Sequence, residues 1–317
     1  PSGPRGLRSA RMDKGHPVNG IPLLLLTGYL GAGKTTLLNH LLARPSIRGK
    51  NVSLIINEFG ELGVDGRLVD SGARPLYELN KGSLFCVCIR TDFLDVLETI
   101  VNGGKPDLVL VEATGVAEPR DIESMLDEPH LAGKFRVQAS LCVVDAANFT
   151  KVLPLLRAVK TQVAGADGVI VNKADLAAAA ERDTIRQIIG RLNPVAHVTV
   201  TTNGQVPMEF IESLKHFPAP PGYLKEPPDP LFAESFRTAH AASRERFQEA
   251  MKSLEGCLLR LKGWVRFEDG SYFVELAGGL WTERPAPQGP DGAMFSAIAW
   301  NMRQAQFREQ MEAALAF

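Results

Sequence analysis

An apolar run at residues 21–26 leads straight into Gly28-Tyr29-Leu30-Gly31-Ala32-Gly33-Lys34-Thr35, and Thr36-Leu37-Leu38-Asn39-His40-Leu41-Leu42 follows with helical spacing. The eight residues fit G-x-x-x-x-G-K-[ST], and the flanks supply the buried strand and the helix that this pattern requires. In such a turn the loop N–H groups converge on an anion at the helix N-terminus. Lys34 reaches the outer phosphates, and the Thr35 hydroxyl can ligate Mg²⁺. Gly28, Gly31, Ala32, Gly33, Lys34, Thr35 and Thr36 are therefore assigned to a nucleoside triphosphate.

The chain has 317 residues, more than one core usually organises, so a large domain and a smaller one are expected. Thirty-five basic against thirty-six acidic side chains give a formal charge of −1, with no global attraction for nucleic acid or an anionic membrane. No apolar run approaches the roughly 18 residues of a membrane span, and the N-terminus lacks a signal-peptide centre. A cytoplasmic location follows as the expectation, with neither nucleic acid nor membrane as partner. Four cysteines then read as thiols or metal ligands rather than a disulfide framework, with Cys142 and Cys257 expected in the core.

Residues 1–20 are polar and rich in Gly, Pro and Arg, which predicts a disordered tail. From 21 to 205, short apolar runs at 21–26, 52–56, 108–111, 141–144, 168–171 and 197–200 alternate with helical patterns. Most are uninterrupted, and runs of this kind predict a doubly wound, mostly parallel α/β sheet covered by helices on both faces. Its ligands belong at the C-terminal strand ends. A linker is expected over 206–230, where residues 217–230 alone hold six prolines. A small α+β domain is expected over 231–317, with strands at 231–236 and 258–264, a helix at 243–254, a tight hairpin at Asp269-Gly270 and a closing helix at 303–315.

The base is read from Asn172-Lys173-Ala174-Asp175, directly after the run at 168–171. Asp175 can accept from the N1–H and the exocyclic amine of guanine, the Lys173 stem can pack on the ring, and Asn172 can brace the loops. Adenine lacks that donor pair, so GTP is preferred to ATP. Glu112 ends the run at 108–111 and can hold Mg²⁺ or one of its waters, while Gly115 leaves room for a γ-phosphate and can offer it an N–H. Residues 57–65 have the glycines and carboxylates of a switch loop. The expected reaction is attack of water on the γ-phosphorus, with Lys34, Glu112 and Gly115 in the catalytic set. No arginine finger is evident, so slow intrinsic turnover is expected. A small-molecule kinase is the alternative that a preference for ATP would favour.

Together these segments resemble the CobW-like GTPases, a metallochaperone family related to the urease and hydrogenase maturation GTPases. The matching residues are 28–36, 57–61 with Gly63-Val64-Asp65, 112–115 with Ala117 and Pro119, and 172–175 preceded by Gln162 and Ala166-Asp167. Leu192-Asn193-Pro194 adds to them, and Leu259-Arg260-Leu261-Lys262-Gly263 resembles the family's appended domain. The resemblance implies GTP-dependent delivery of a metal such as Zn²⁺ or Co²⁺ to a client metalloprotein, and is compatible with a homodimer across the nucleotide face.

The family's metal signature is Cys-x-Cys-Cys after a glycine, and here the chain departs from it. From Gly82 the sequence runs Ser83-Leu84-Phe85-Cys86-Val87-Cys88, so only Cys86 matches in register. Cys86 and Cys88 offer two thiolates and Glu58 an oxygen, a three-ligand, open set; the alternative is core packing with an ordinary thiol. The six histidines are scattered and form no metal-storing tract. A regulatory GTPase without metal transfer stays open as the second reading.

Overall fold

The computed structural model describes residues 20–57, 71–72, 74–79, 87–115, 117–218, 231–277 and 279–315. The expected tail (apart from Gly20), residues 58–65 of the expected switch loop and the proline-dense stretch 219–230 lie outside them. In chain order the first half carries β1 (Ile21–Thr27), α1 (Lys34–Leu42), α2 (Pro45–Arg48), β2 (Val52–Asn57), β3 (Leu76–Leu79), α3 (Val87–Asn102), β4 (Leu108–Glu112) and α4 (Pro119–Leu126). It continues with β5 (Phe135–Asp145), α5 (Phe149–Val152), α6 (Arg157–Ala164), β6 (Gly168–Asn172), α7 (Ala179–Leu192), β7 (His197–Val200) and α8 (Met208–Glu212). The seven strands pair in parallel in the order β3-β2-β4-β1-β5-β6-β7.

Residues of β1, β2, β4 and β6 are almost all buried, because both sheet faces are covered. On one face Leu37, Leu38 and Leu41 of α1 pack with Leu24, Leu54 and Leu110. On the other, Phe93, Leu97 and Ile100 recur on one stripe of α3 and meet Leu23, Ile55 and Val109. The chain builds β2, β3 and β4 on one side of β1 and then crosses it to build β5, β6 and β7 on the other, so the C-terminal ends of β1, β4, β5 and β6 gather around one crevice.

The expected linker starts later than 206. Val206, Ile211 and Leu214 are buried in the same core as α1, and α8 lies among them. Apolar side chains at 206, 211 and 214 outweigh the prolines that follow. Cys142 is buried as expected, and burial pushes its thiol up to about 12; Cys257 is only half-buried.

The second half folds as β8 (Leu231–Arg237), α9 (Arg244–Ser253), β9 (Leu258–Phe267), β10 (Gly270–Ala277), β11 (Leu280–Pro285), β12 (Ala293–Trp300) and α10 (Gln304–Leu315). Its antiparallel order is β11-β10-β9-β12-β8. Alternation divides the strands into two faces. On one, Leu261, Val274, Phe295 and Ala297 meet Phe247 of α9 and Phe307 and Met311 of α10. On the other, Ile298, with half-buried Leu231, Ala233 and Trp300, joins a core that also contains Tyr29, Leu30 and Phe149. The antiparallel sheet thus lies against the phosphate-loop end of the parallel one.

Candidate nucleotide site

Gly33 caps α1 with φ of 104°, and a Cβ there would come within 2.3 Å of Asn172 Nδ2. Only glycine fits this left-handed position and allows the close approach. Asn172 uses that proximity. Its Nδ2 donates to the Ala32 carbonyl at 2.9 Å, and its Oδ1 accepts from the Gly204 N–H at 3.0 Å. The side chain at the end of β6 therefore ties the phosphate loop to the turn after β7.

Thr35, in the first turn of α1, donates its hydroxyl to Glu112 Oε1 at 2.9 Å. Glu112 is buried at the end of β4. Lys34 Nζ donates to the carbonyls of Gly28 at 2.9 Å and Tyr29 at 3.4 Å, across the loop. The hydroxyl and carboxylate oxygens of Thr35 and Glu112 are the donor chemistry that Mg²⁺ takes, and they are already side by side.

Gly115 sits beneath the loop, where an added Cβ would meet Leu30 Cδ2 at 2.3 Å. Its carbonyl, with that of Ala117, accepts from Gln162 Nε2 of α6 at 3.1 and 3.0 Å. The missing side chain at 115 makes room for the phosphate loop itself. Lys173, at φ of 57°, donates to Asp145 Oδ2 at 2.9 Å. Asp145 closes β5 and was missed by sequence reasoning, since no motif surrounds it. Asp175 lies exposed on the 3₁₀ turn Ala174–Leu176, at the same strand-end face.

A cavity of about 410 Å³ opens above the loop. Gly31, Gly33, Lys34, Thr35, Thr36, Asn39, Glu112 and Lys173 line it from the parallel-sheet side. Gly28, Ala32, Gly115, Asn172 and Asp175 do not line it; they hold the loop or stand beside it. Its opposite wall is the antiparallel sheet, through Arg260, Lys262, Glu275, Ala277, Thr282 and Arg284. Sequence reasoning missed this wall, although the alternation of Arg260 and Lys262 with Leu259 and Leu261 signals two cations on one strand face.

The expected transition-metal set falls largely outside the described residues. Glu58 and Cys86 are outside, and Cys88 is described only as backbone in the first turn of α3. Among the described residues no group of three or more His, Cys, Asp or Glu could hold a metal, and no helix is long and apolar enough to cross a membrane.

Residues 22–200 match the family described as CobW/HypB/UreG, nucleotide-binding domain, and residues 233–315 match the cobalamin synthesis protein cobW C-terminal domain. Zinc chaperone CobW of Pseudomonas aeruginosa is 29% identical over 240 residues, which cover 64% of this chain and 63% of the relative. Zinc chaperone YjiA of Escherichia coli is 30% identical over 208 residues, 63% of each chain. The chain thus spans somewhat under two thirds of the length of these curated relatives. Among solved structures, the Zn(II)-bound YjiA GTPase from E. coli aligns at 22% identity with a TM-score of 0.47, covering 93% of this chain and 99% of that one. With the phosphate loop, the Glu112 strand end and the Asn172 turn gathered at one crevice, and both regions matched in order, the chain belongs to the CobW/HypB/UreG family.

Proposed function

We propose that this protein is a GTPase that couples its nucleotide state to delivery of a metal ion, of the zinc or cobalt class, to a client protein. The observation that carries the nucleotide half of this reading is the Thr35–Glu112 hydrogen bond at 2.9 Å beneath the phosphate loop. It joins the two residues best suited to hold Mg²⁺. Bound there, Mg²⁺ would neutralise charge on the β- and γ-phosphate oxygens.

The chain's own residues do the rest. The glycine-loop N–H groups and the N-terminus of α1 orient the triphosphate. The Lys34 ammonium, set across the loop by the Gly28 and Tyr29 carbonyls, turns to the β- and γ-phosphates and stabilises charge as water attacks in line. Asp175 selects guanine through its two acceptor oxygens, and Lys173, held by Asp145, covers the ring with its stem. Family membership and the zinc chaperones among the relatives support the metal half of the reading. Cys86, Cys88 and Glu58 are the candidate ligands.

Two measurements test it. Phosphate release from GTP should require Mg²⁺ and exceed that from ATP, and Asp175→Asn should erase the preference; a parent chain that prefers ATP overturns the guanine assignment. Zn²⁺ or Co²⁺ titration followed by thiolate absorption, with and without a GTP analogue, should show nucleotide-dependent affinity that is lost in the Cys86→Ser/Cys88→Ser double variant. The shift of the cysteines from the family's Cys-x-Cys-Cys register favours one second reading, a nucleotide-gated binding protein without metal transfer. Identical metal titrations of parent and double variant would support it.

A further inference from the structure

The antiparallel sheet meets the phosphate loop at close quarters. A Cβ added to Gly31 would stand 2.7 Å from Ala277 Cβ at the end of β10, so loop and strand are in direct packing contact. Register then determines what faces the cavity. Arg260 pairs with Ala277 and Lys262 with Glu275 across β9–β10, while Arg284 pairs with Phe273 across β10–β11. All of these except Phe273 line the cavity.

Polar residues alternating along a strand most simply mark a solvated face; here Thr282 and Arg284 on the edge strand are exposed, but toward β9 the face is covered. Lys262 is only 6% exposed, and the same face continues into the core shared with Tyr29, Leu30 and Phe149. Lysines are rarely buried so deeply without an electrostatic reason. Among the lining side chains Lys173 is paired with Asp145, and Lys34, Arg260, Lys262 and Arg284 face Glu112 and Glu275, a surplus of two positive charges in one cavity. Like charges crowded in this way repel one another, and a polyanion entering between them relieves that repulsion.

We propose that Arg260, Lys262 and Arg284 form the outer wall of the triphosphate site and meet the phosphate oxygens in cis, so that both domains grip one nucleotide. This rests on the GTP reading given above and extends it. The appended sheet supplies cations that the phosphate-loop domain alone lacks, and they act on affinity for the bound phosphates. Because the wall belongs to a separate domain, loss of the γ-phosphate loosens the contact between the two halves.

The experiment is equilibrium binding of fluorescent GTPγS and GDP to the full chain with Mg²⁺. Arg284→Gln alters an exposed position on an edge strand and leaves folding intact, while Lys262→Met keeps the buried volume. We expect GTPγS affinity to fall about tenfold for Lys262→Met and about threefold for Arg284→Gln, with smaller losses for GDP. Arg266→Gln, which removes the same charge from β9 outside the cavity, should bind as the parent does. Parent-like affinities in Arg284→Gln and in a folded Lys262→Met overturn the proposal, as does an equal loss in Arg266→Gln. Lys34→Ala separates the two readings. If the parent binds GTPγS and Lys34→Ala does not, the nucleotide site stands and the sheet variants judge the wall alone. A parent that binds no guanine nucleotide removes both.

Discussion

On the parallel-sheet side the candidate nucleotide cavity is walled by strand ends and the loops that leave them, whereas on the antiparallel side it is walled by the face of a sheet. The first plan concentrates chemistry in contiguous residues, because the end of one strand and the first turn of the next helix lie side by side. The second disperses it, since neighbours on a sheet face come from different strands and meet only through register. A strand-end wall can converge backbone N–H groups on a developing charge. A sheet face spends its backbone groups on its own ladder and offers only side chains. Rate should therefore live on the first wall and affinity on the second.

The largest test of that contrast is Thr35→Ala or Glu112→Gln. The first removes the hydroxyl of the 2.9 Å pair and the second the carboxylate charge, and each should lower Mg²⁺-dependent phosphate release by roughly 10²-fold or more. Single-turnover assays should show the loss in the chemical step. If sheet variants such as Arg284→Gln slow that step as much, the division of labour between the walls is broken.

Next in size is the scaffold of the sheet wall. Gly263 lies in β9 beside Lys262 at φ of 151°, and a Cβ there would meet Met294 O at 2.3 Å and Phe295 Cα at 2.5 Å. Gly263→Ala should destabilise the antiparallel sheet by about 3 kcal/mol, read in urea unfolding of the full chain. Its counterpart on the loop wall is Asn172→Ala, which leaves the Ala32 carbonyl and the Gly204 N–H without this side chain. That should cost about 2 kcal/mol and weaken GTP binding together with stability. Equal effects of the two substitutions on GTP affinity would erase the difference in role.

The same contrast explains what could be read from the chain. The phosphate loop, Glu112 and the Asn172 turn are legible because each is a short word at the end of an apolar run. Six of the seven parallel strands announce themselves as short apolar-rich runs, most of them uninterrupted because helices cover both faces; β7, at the other edge, is broken by His197 and Thr199. β3 does not, because Leu76-Tyr77-Glu78-Leu79 lies at the sheet's edge with Glu78 exposed. β11 is hidden for the same reason. Arg260, Lys262, Glu275 and Arg284 form no word at all; only the antiparallel register brings them to one cavity. Asp145 is a strand-end residue whose role depends on Lys173, a partner that sequence order separates from it.

The last expected effect lies away from both walls, where the chain leaves the parallel sheet. Asp167 accepts from the Ser140 and Phe217 N–H groups and pairs with His216 at 2.9 Å, and His216 Nε2 lies 3.7 Å from Glu123 Oε1. Burial pushes the Glu123 carboxyl up to about 7, against the opposing pull of His216. For His216 burial opposes the charge, but the Asp167 hydrogen bond and the Glu123 charge raise it overall. A raised carboxyl pKa means that the folded chain binds more protons than the unfolded one between about pH 4.5 and 7, so stability falls as pH rises through that window. The raised His216 acts in the same direction, its stabilisation being complete below pH 6.5 and lost as pH climbs through its folded value. Urea unfolding at pH 5, 6.5 and 8 should show a decline, and Glu123→Gln should flatten it by about 2 kcal/mol over that range. GTP affinity should not follow, because this cluster touches neither wall; a parallel loss of nucleotide binding with pH would instead tie the chain's exit from the parallel sheet to the cavity.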